Sequence, residues 1–567
     1  MAKSNPWDFL DEYRGKVFSG QWPTLPQMLS ITVKRYPNNS CFTIFEGTNK
    51  ISLTYKEVEK KVLAIAAYLG EQQIKAGDKV VVTGKNSPQW ALAYLGVLYA
   101  GCVVVPIDHQ LSFSEASDLT AHSESKFVFC DEEKLDAFKK AKTKLKLKGI
   151  SSLQEGLDNY ILDVKTAPLS KLVARKESDL AAILYTSGTT GVAKGVMLTH
   201  GNFVADCYLS QGNLNIHSTD VFYVLLPIHH SYTMLAVFIE ALSIGAELVF
   251  GKKLVITSIM NDLKLGKITM FLGVPALYNK LIYGILKKIR QKGIFAYGLV
   301  RFLMGISFSV KKLTGLNVGK KLLGFVLRQA CLDKIRICIS GGGPLPKSTF
   351  RHYQALGLDF VEGYGLTETA PILTLNPTEA FKIGSVGKVI ANTHVVILDK
   401  DSDGRGEIAV KGPQVMQGYY KNEQATKEAF TDDGYFKTGD VGYLDKQNYL
   451  YLTGRAKSLI VTDGGKNVFP EEIENKFQLY DEIEQILVRG YLKDANLKIE
   501  GVEAIFYPSE TYRAFDYPSD QIHSHFEEIV SKVNKELLPY KRITKVSVLD
   551  EPMEMTSKRT IKRHKVK

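Results

Sequence analysis

Hydrophobic positions along the chain follow two alternating rhythms. Thr54-Tyr55-Lys56-Glu57 has the form of a capping box, and Val58, Val62, Ile65, Ala66 and Leu69 follow at helical steps until Gly70, predicting a helix with one apolar face. A β-branched run over 79–83 predicts a strand directly afterwards. The alternation recurs before Gly101, with a strand expected over 103–107, and again at 237–242 followed by 246–250. Helices alternating with short buried strands predict an α/β architecture with largely parallel sheets. The apolar stretch 90–107 approaches the ~20 residues of a membrane span, but Gly101 interrupts it and Pro106 stands within its β-branched end, so helix, turn and buried strand are expected.

At 567 residues the chain exceeds one compact core, and at ~100–200 residues per domain at least two domains are expected. With 45% hydrophobic and 23% charged residues it is globular rather than disordered. Six cysteines without C-x-x-C pairs signal neither a disulfide framework nor a zinc site, which fits a reducing compartment. The N-terminus reaches Asp11 and Glu12 with no apolar stretch, so no secretory signal is expected and the protein is expected to be cytoplasmic.

The net charge is +12 and the isoelectric point about 9.0. No nucleic-acid-binding motif accompanies that charge, so no nucleic-acid partner is expected; anionic substrates and an anionic membrane surface remain. Lysines at 139, 140, 142, 144, 146 and 148 read as a solvated surface segment. A longer stretch, 281–330, mixes apolar residues with Lys287, Lys288, Arg290, Lys292, Arg301, Lys311, Lys312, Lys320 and Lys321. That composition suits interfacial helices, at the inner face of a membrane, and equally helices packed on a domain with a cationic outer side.

The most informative segment is Tyr185-Thr186-Ser187-Gly188-Thr189-Thr190-Gly191-Val192-Ala193-Lys194-Gly195, set between two apolar runs and so placed as a loop joining two strands. Small hydroxyl residues and glycines let backbone N–H groups approach phosphate oxygens, and Lys194 adds a positive charge. A Walker A loop is excluded, because Val192 and Ala193 intervene between Gly191 and the lysine and a glycine follows it.

This loop resembles the signature of the adenylate-forming (AMP-binding) superfamily. Further segments stand in that superfamily's order: Leu226-Pro-Ile-His-His-Ser-Tyr232, Gly273-Val-Pro-Ala276, Ser340-Gly-Gly-Gly-Pro344, Glu362-Gly-Tyr-Gly-Leu-Thr-Glu-Thr-Ala370, Phe436-Lys-Thr-Gly-Asp-Val-Gly442 and Gly454-Arg-Ala-Lys457. The resemblance implies a large multi-layer αβ N-terminal domain (1–453, with the basic apolar insertion) carrying mostly parallel sheets. A small α+β C-terminal lid domain (454–567) would follow, hinged near Lys457. ATP, Mg²⁺ and coenzyme A are the implied cofactors and co-substrates. Thr186 to Gly191 and Lys194 would cradle the phosphates; Gly341, Gly342 and Gly343 would form a flat edge against adenine and Tyr364 would stack on it. Thr367 would contact the α-phosphate, Glu368 would ligate Mg²⁺, His230 would stand between the carboxylate pocket and the nucleotide, and Asp440 and Arg455 would hold the ribose. Gly464, Gly465 and Lys466 resemble the thioester-forming face.

One departure falls in the tail. The superfamily's catalytic lysine aligns with Thr560, flanked by Lys558 and Lys562; the sequence leaves open whether one of these neighbours, Lys558 ahead of Lys562, substitutes or adenylation is weak. Ala193 and Ser458 are smaller departures. The insertion and the run Val461-Thr-Asp-Gly-Gly-Lys-Asn467 resemble bacterial long-chain fatty acyl-CoA synthetases, which implies a long-chain fatty acid as the acyl partner. Two alternatives stand beside that reading: an adenylating enzyme for another acid or a carrier-protein thiol, and a non-catalytic acyl or nucleotide binder.

Overall fold

In the computed structural model, residues 5–187, 193–251, 255–461, 467–494, 499–514, 518–555 and 561–566 are described. The rhythm read from the sequence is realised in them. Helix Tyr55–Glu71 opens on both bonds of the capping box, with Glu57 accepting from the Thr54 amide at 2.8 Å and the Thr54 hydroxyl accepting from the Glu57 amide at 3.3 Å. Val58, Val62, Ile65, Ala66 and Leu69 are all buried. The helix passes through Gly70 instead of stopping there, and Gln73 takes the left-handed turn. Strand Lys79–Thr83 follows, then helix Pro88–Tyr99, a left-handed Gly101 and strand Val103–Ile107, so the longest apolar run of the N-terminal region is core. The lysine-rich stretch ends helix Glu132–Ala141 and continues with Leu145 and Leu147 turned inward and the lysines out.

Two large sheets result, counted among the described residues. One has seven strands: Gly418–Tyr419, Ala193–Thr199, Leu180–Ser187, Val103–Ile107, Lys79–Thr83, Phe127–Cys130 and Gly149–Ser152 in spatial order. Its last five are parallel; Ala193–Thr199 is antiparallel to both of its neighbours. The other has nine, with a parallel centre through Asp359–Gly365, Ile337–Ser340, Met270–Gly273, Val221–Val224, Glu247–Phe250 and Ser40–Glu46, and antiparallel edges. The strands of the parallel centres are nearly all buried, as sheets covered on both faces require.

The chain packs as two compact units. One gathers 1–343, 350–394 and 410–436; the other gathers 344–349, 395–409 and 437–567. The two compact units thus divide at 436/437, ahead of the expected domain boundary after Thr453 and hinge near Lys457. The reason is local pairing: Thr438 Oγ1 donates to the Ile408 carbonyl at 2.8 Å, the Gly439 amide donates to Glu407 Oε1 at 3.1 Å, and strand Phe436–Leu444 pairs with Leu450–Arg455. A cut after Thr453 would split that hairpin. The rest of the second unit is α+β: helix Ser519–Asn534 supplies Phe526, Ile529, Val530 and Val533 to a core shared with Ile483–Asp494 and Ile499–Pro508.

Glu240, buried in the first unit, accepts from the Cys207 thiol at 3.2 Å. Burial pushes its carboxyl from an ordinary 4.5 up to about 8, so the folded chain holds a proton that the unfolded chain releases. A raised folded-state value means the favourable contribution is complete below 4.5 and lost as pH climbs to 8, at up to ~1.4 kcal/mol per pH unit. Glu240→Gln should therefore melt above the parent at pH 9 and lose that advantage near pH 5, as thermal denaturation across pH will read.

Candidate active site

The phosphate-loop residues lie on a hairpin of strands Leu180–Ser187 and Ala193–Thr199, as the flanking apolar runs predict. Thr186 faces Lys194 across it and Tyr185 faces Gly195. Gly188, Thr189, Thr190 and Gly191 lie outside the described residues, as does the Ser187 side chain. The free edge of Ala193–Thr199 takes up strand Gly418–Tyr419, with Tyr419 opposite Val196 and the Tyr420 amide donating to the Gly195 carbonyl at 2.7 Å. Residues more than two hundred positions apart are joined this way.

The consequence is a contact that no sequence motif announces. Lys194 Nζ lies 4.8 Å from the centre of the Tyr419 ring, and Tyr419 Oη donates to Glu368 Oε1 at 3.0 Å. Burial, reinforced by the Glu368 charge, pushes the Tyr419 hydroxyl far above its ordinary range, so it remains a donor at every working pH. Glu368 stands on the single turn Thr367–Thr369, which follows strand Asp359–Gly365. The Met416 amide donates to the Glu368 carbonyl at 2.8 Å, and the Thr369 hydroxyl donates to the Pro371 carbonyl at 2.8 Å. Gly365 permits this turn: a Cβ there would lie 1.6 Å from the Pro371 oxygen. Tyr364, on the same strand, is half-buried opposite Thr374.

Thr367 is buried and shares a 3.1 Å hydrogen bond with Ser231, which ties its motif to the His229-His230-Ser231 segment. His230 sits where that segment turns into a helix, and its ring centre is 4.2 Å from that of His229. Tyr232 then reaches the Ile339 carbonyl at 3.1 Å, and its ring lies directly beneath Gly341, where a Cβ would come within 3.1 Å. Gly341, Gly342 and Gly343 follow strand Ile337–Ser340 as an edge without side chains, Gly342 with φ +79°. Beside His230, Asp108 Oδ1 stands 3.5 Å from His229 Nε2 and 3.8 Å from His109 Nδ1. Burial raises the Asp108 carboxyl, but the neighbouring His229 outweighs it, and the carboxyl is held well below the usual range. Burial holds His109 low, hence neutral.

In the second unit Asp440 and Arg455 face each other across the strand pair, with Arg455 Nε 3.3 Å from Asp440 Oδ1. Asp440 is buried and Arg455 is exposed, so the pair joins a carboxylate held inside the unit to a guanidinium at its surface. Gly464, Gly465 and Lys466 lie outside the described residues, as do Lys558 and Thr560. Lys562 is described, and it pairs with Glu554, which Lys565 also reaches at 2.6 Å; Arg563 is bidentate to Glu474 with both contacts at 2.7 Å. Lys562 is thus committed to a partner next to it.

The family profile for "AMP-binding enzyme" matches residues 29–420, and the profile for "AMP-binding enzyme C-terminal domain" matches 457–567. The chain belongs to the AMP-binding enzyme family. Its coarse activity is that of an ATP-dependent, adenylate-forming ligase joining a carboxylic acid to a thiol. The chain is 32% identical over 470 residues to a long-chain-fatty-acid–CoA ligase, FadD15, of Mycobacterium bovis, covering 78% of this chain and 76% of that protein. It is 26% identical over 539 residues to the 2-succinylbenzoate–CoA ligase of Oceanobacillus iheyensis, covering 93% and 96%. Among solved structures, the ATP-bound RpMatB-BxBclM chimera B1 superposes with a TM-score of 0.78 at 26% identity, covering 95% of this chain and 97% of that one.

Sequence reasoning named Lys194, His230, Thr367, Glu368, Asp440 and Arg455 as candidates in this AMP-binding enzyme, quoted His229 and Ser231 without giving them a part, and did not single out Tyr419 or Asp108. The aromatic pair Tyr419-Tyr420 directly after Gly418 was the available signal for the former. Tyr419→Phe keeps the ring under Lys194 and removes the bond to Glu368, a hydrogen bond to a charge worth ~1.5–3 kcal/mol. It should slow ATP-dependent AMP formation by about 10-fold or more with the melting temperature nearly unchanged. Gly365→Ala should instead destabilise the first unit by about 3 kcal/mol or more, read as a lower urea midpoint.

Proposed function

We propose that the chain is an AMP-forming long-chain fatty acid–CoA ligase: ATP and a fatty acid give an acyl-adenylate and pyrophosphate, and coenzyme A thiolate then displaces AMP to give the acyl-CoA. The observation that supports the first half-reaction is the Lys194–Tyr419–Glu368 arrangement, a cation over the face and a carboxylate at the hydroxyl of one ring. When the fatty carboxylate attacks the α-phosphorus, negative charge gathers on the phosphate oxygens. Lys194 is pre-placed to face it, which is where electrostatic catalysis acts most strongly. Thr367, fixed by Ser231, presents a hydroxyl from the same turn. The donor set fits Mg²⁺, since Glu368 and Thr367 offer the hard oxygens that ion takes; bound there, it would neutralise phosphate charge. Asp440 accepts hydrogen bonds from the ribose hydroxyls and Arg455 supports it.

For the second half-reaction the C-terminal domain turns about a hinge near Lys457, bringing Gly464, Gly465 and Lys466 to the thiol, while Lys558 serves adenylation in place of the residue aligned with Thr560. Lys562 is unsuited to that part because Glu554 holds it. A reducing, cytoplasmic setting belongs to the same proposal and agrees with six free cysteines.

Long-chain specificity is supported by the likeness to FadD15 and by the apolar, basic insertion over 281–330. A second reading, an aryl acid as substrate, is favoured by the near full-length match to the 2-succinylbenzoate–CoA ligase. Acids from short to long chain, and 2-succinylbenzoate, should be compared by pyrophosphate, AMP and thioester formation with CoA and with acyl carrier protein as acceptors. Each added methylene buried in an acyl tunnel contributes ~0.8 kcal/mol, so kcat/KM should climb about fourfold per carbon before levelling. A flat chain-length response with rapid turnover of 2-succinylbenzoate would instead establish the aryl reading, and ADP in place of AMP would overturn both. Lys194→Ala and Glu368→Gln should each lower AMP formation at least 100-fold. Lys558→Ala should slow pyrophosphate release while leaving thioester formation from preformed acyl-adenylate intact.

A further inference from the structure

Helix Ile294–Thr314, inside the basic insertion, is apolar on two opposite sides. Val300, Met304, Ser307 and Lys311 form the buried stripe, spaced three and four apart. Phe295, Leu299, Phe302, Ile306 and Leu313 repeat at the same spacing on the other side, and there they stand in solvent: Phe295 is 91% exposed, Leu313 84%, Phe302 66% and Leu299 57%. The outer stripe runs about 27 Å from Phe295 to Leu313. Ile294, Leu316 and Phe325 extend it at either end and Tyr283 stands exposed on the preceding helix. Monomeric proteins rarely leave a contiguous apolar surface of this size without an occupant.

Charge identifies the occupant. From Leu263 to Leu332 the sequence has 13 Lys or Arg and no Asp or Glu, which leaves 59 basic against 60 acidic residues in the rest of the chain. This one segment, at +13, therefore supplies the whole positive net charge, and the rest of the chain carries −1. Lys287, Lys288, Arg290, Lys292, Lys312 and Lys321 are exposed around the apolar stripe. An apolar strip rimmed by cations and lacking any acidic residue complements a bilayer with anionic headgroups: the rings enter the acyl boundary while the lysines stay at headgroup level.

By length and composition the helix is also able to cross a membrane, with 21 residues and a mean hydropathy of 1.4. Its inner side prevents that. Lys311 is buried, bonded to Gln354 and paired with Asp359 at 2.8 Å, and Arg301 Nη1 is 2.6 Å from His352 Nε2. Pulling the helix out of the protein would break the Lys311 pair and expose Met304 and Val300, so it lies along a surface and does not span one.

We propose that the outer stripe of helix Ile294–Thr314, with its cationic rim, docks this protein on an anionic lipid bilayer, lying in the plane of the interface. This holds whatever acid the enzyme activates, and its test reads no catalysis. Purified full-length protein is sedimented with vesicles of phosphatidylcholine alone and of phosphatidylcholine mixed with phosphatidylglycerol, from low salt to about 1 M, where the screening length falls to ~3 Å. Binding to the mixed vesicles, weakened at high salt and much lower on neutral ones, is the expected result. Phe295→Glu with Phe302→Glu should cut partitioning about 100-fold or more, from the loss of two rings each contributing a factor of about ten or more, with an unchanged melting curve. Lys312→Glu with Lys321→Glu should remove most of the preference for phosphatidylglycerol. Equal binding by the double phenylalanine variant, or no dependence on phosphatidylglycerol, overturns the proposal. So does a lipid-free dimer, seen by light scattering, that the phenylalanine variant splits, because the stripe then belongs to a second copy of the chain.

Discussion

The Tyr419 side chain is the constraint that fixes Lys194 and Glu368 relative to one another in the first unit. A lysine on one strand edge and a glutamate on a short turn have no reason of their own to keep a fixed distance; both side chains are long and prefer water. One aromatic ring sets both, with its face under Lys194 and its hydroxyl on Glu368. It can do so because the backbone of 418–420 is bonded into the edge of the phosphate-loop hairpin, so the ring's position follows from the register of a sheet. Cation–π and charge-assisted bonds of this kind are modest singly, and their value is in preorganisation: the groups that the proposed function sets against developing phosphate charge are already placed.

Close backbone approach is the second constraint. Gly365 passes so near the Pro371 carbonyl that no side chain fits, and Gly341 lies against the Tyr232 ring. The turn that carries Thr367 and Glu368 is thus shaped by what is absent from the chain as much as by what is present. Ser231 and Tyr232, one reaching Thr367 and the other the carbonyl of Ile339, lock the histidine segment to the two glycine-bearing strands. Asp108 completes that wall, with His229 offsetting the burial that disfavours its negative charge.

The protein also divides its electrostatics by region. Outside 263–332 the chain is nearly neutral, and inside that segment it is wholly basic. Ion pairs consume only part of that charge, Lys311 with Asp359 being the buried case. What is left faces water next to an apolar stripe, so one helix meets two requirements, packing on its inner side and an unpartnered amphipathic surface on its outer side.

Local order was legible in the sequence wherever it is set by near neighbours. The capping box at Thr54, the strand over 79–83, the turn at Gly101 and the two strands flanking the phosphate loop all depend on residues a few positions apart, and periodicity reports them. The motifs also supplied the candidates that the structure places on the loop hairpin, the Thr367–Thr369 turn and the Asp440–Arg455 strand pair. The helix running past Gly70 and the division at 436/437 were decided by tertiary structure, the latter by bonds from Thr438 and Gly439 to Ile408 and Glu407 some thirty residues earlier. So were Tyr419 beneath Lys194, Asp108 beside His229 and the exposed side of helix Ile294–Thr314, whose buried stripe contains Ser307 and Lys311 while the more apolar stripe faces out. Spacing along the chain gives a side chain its face on an element; only the folding of distant elements against one another decides which face finds a partner and which meets water.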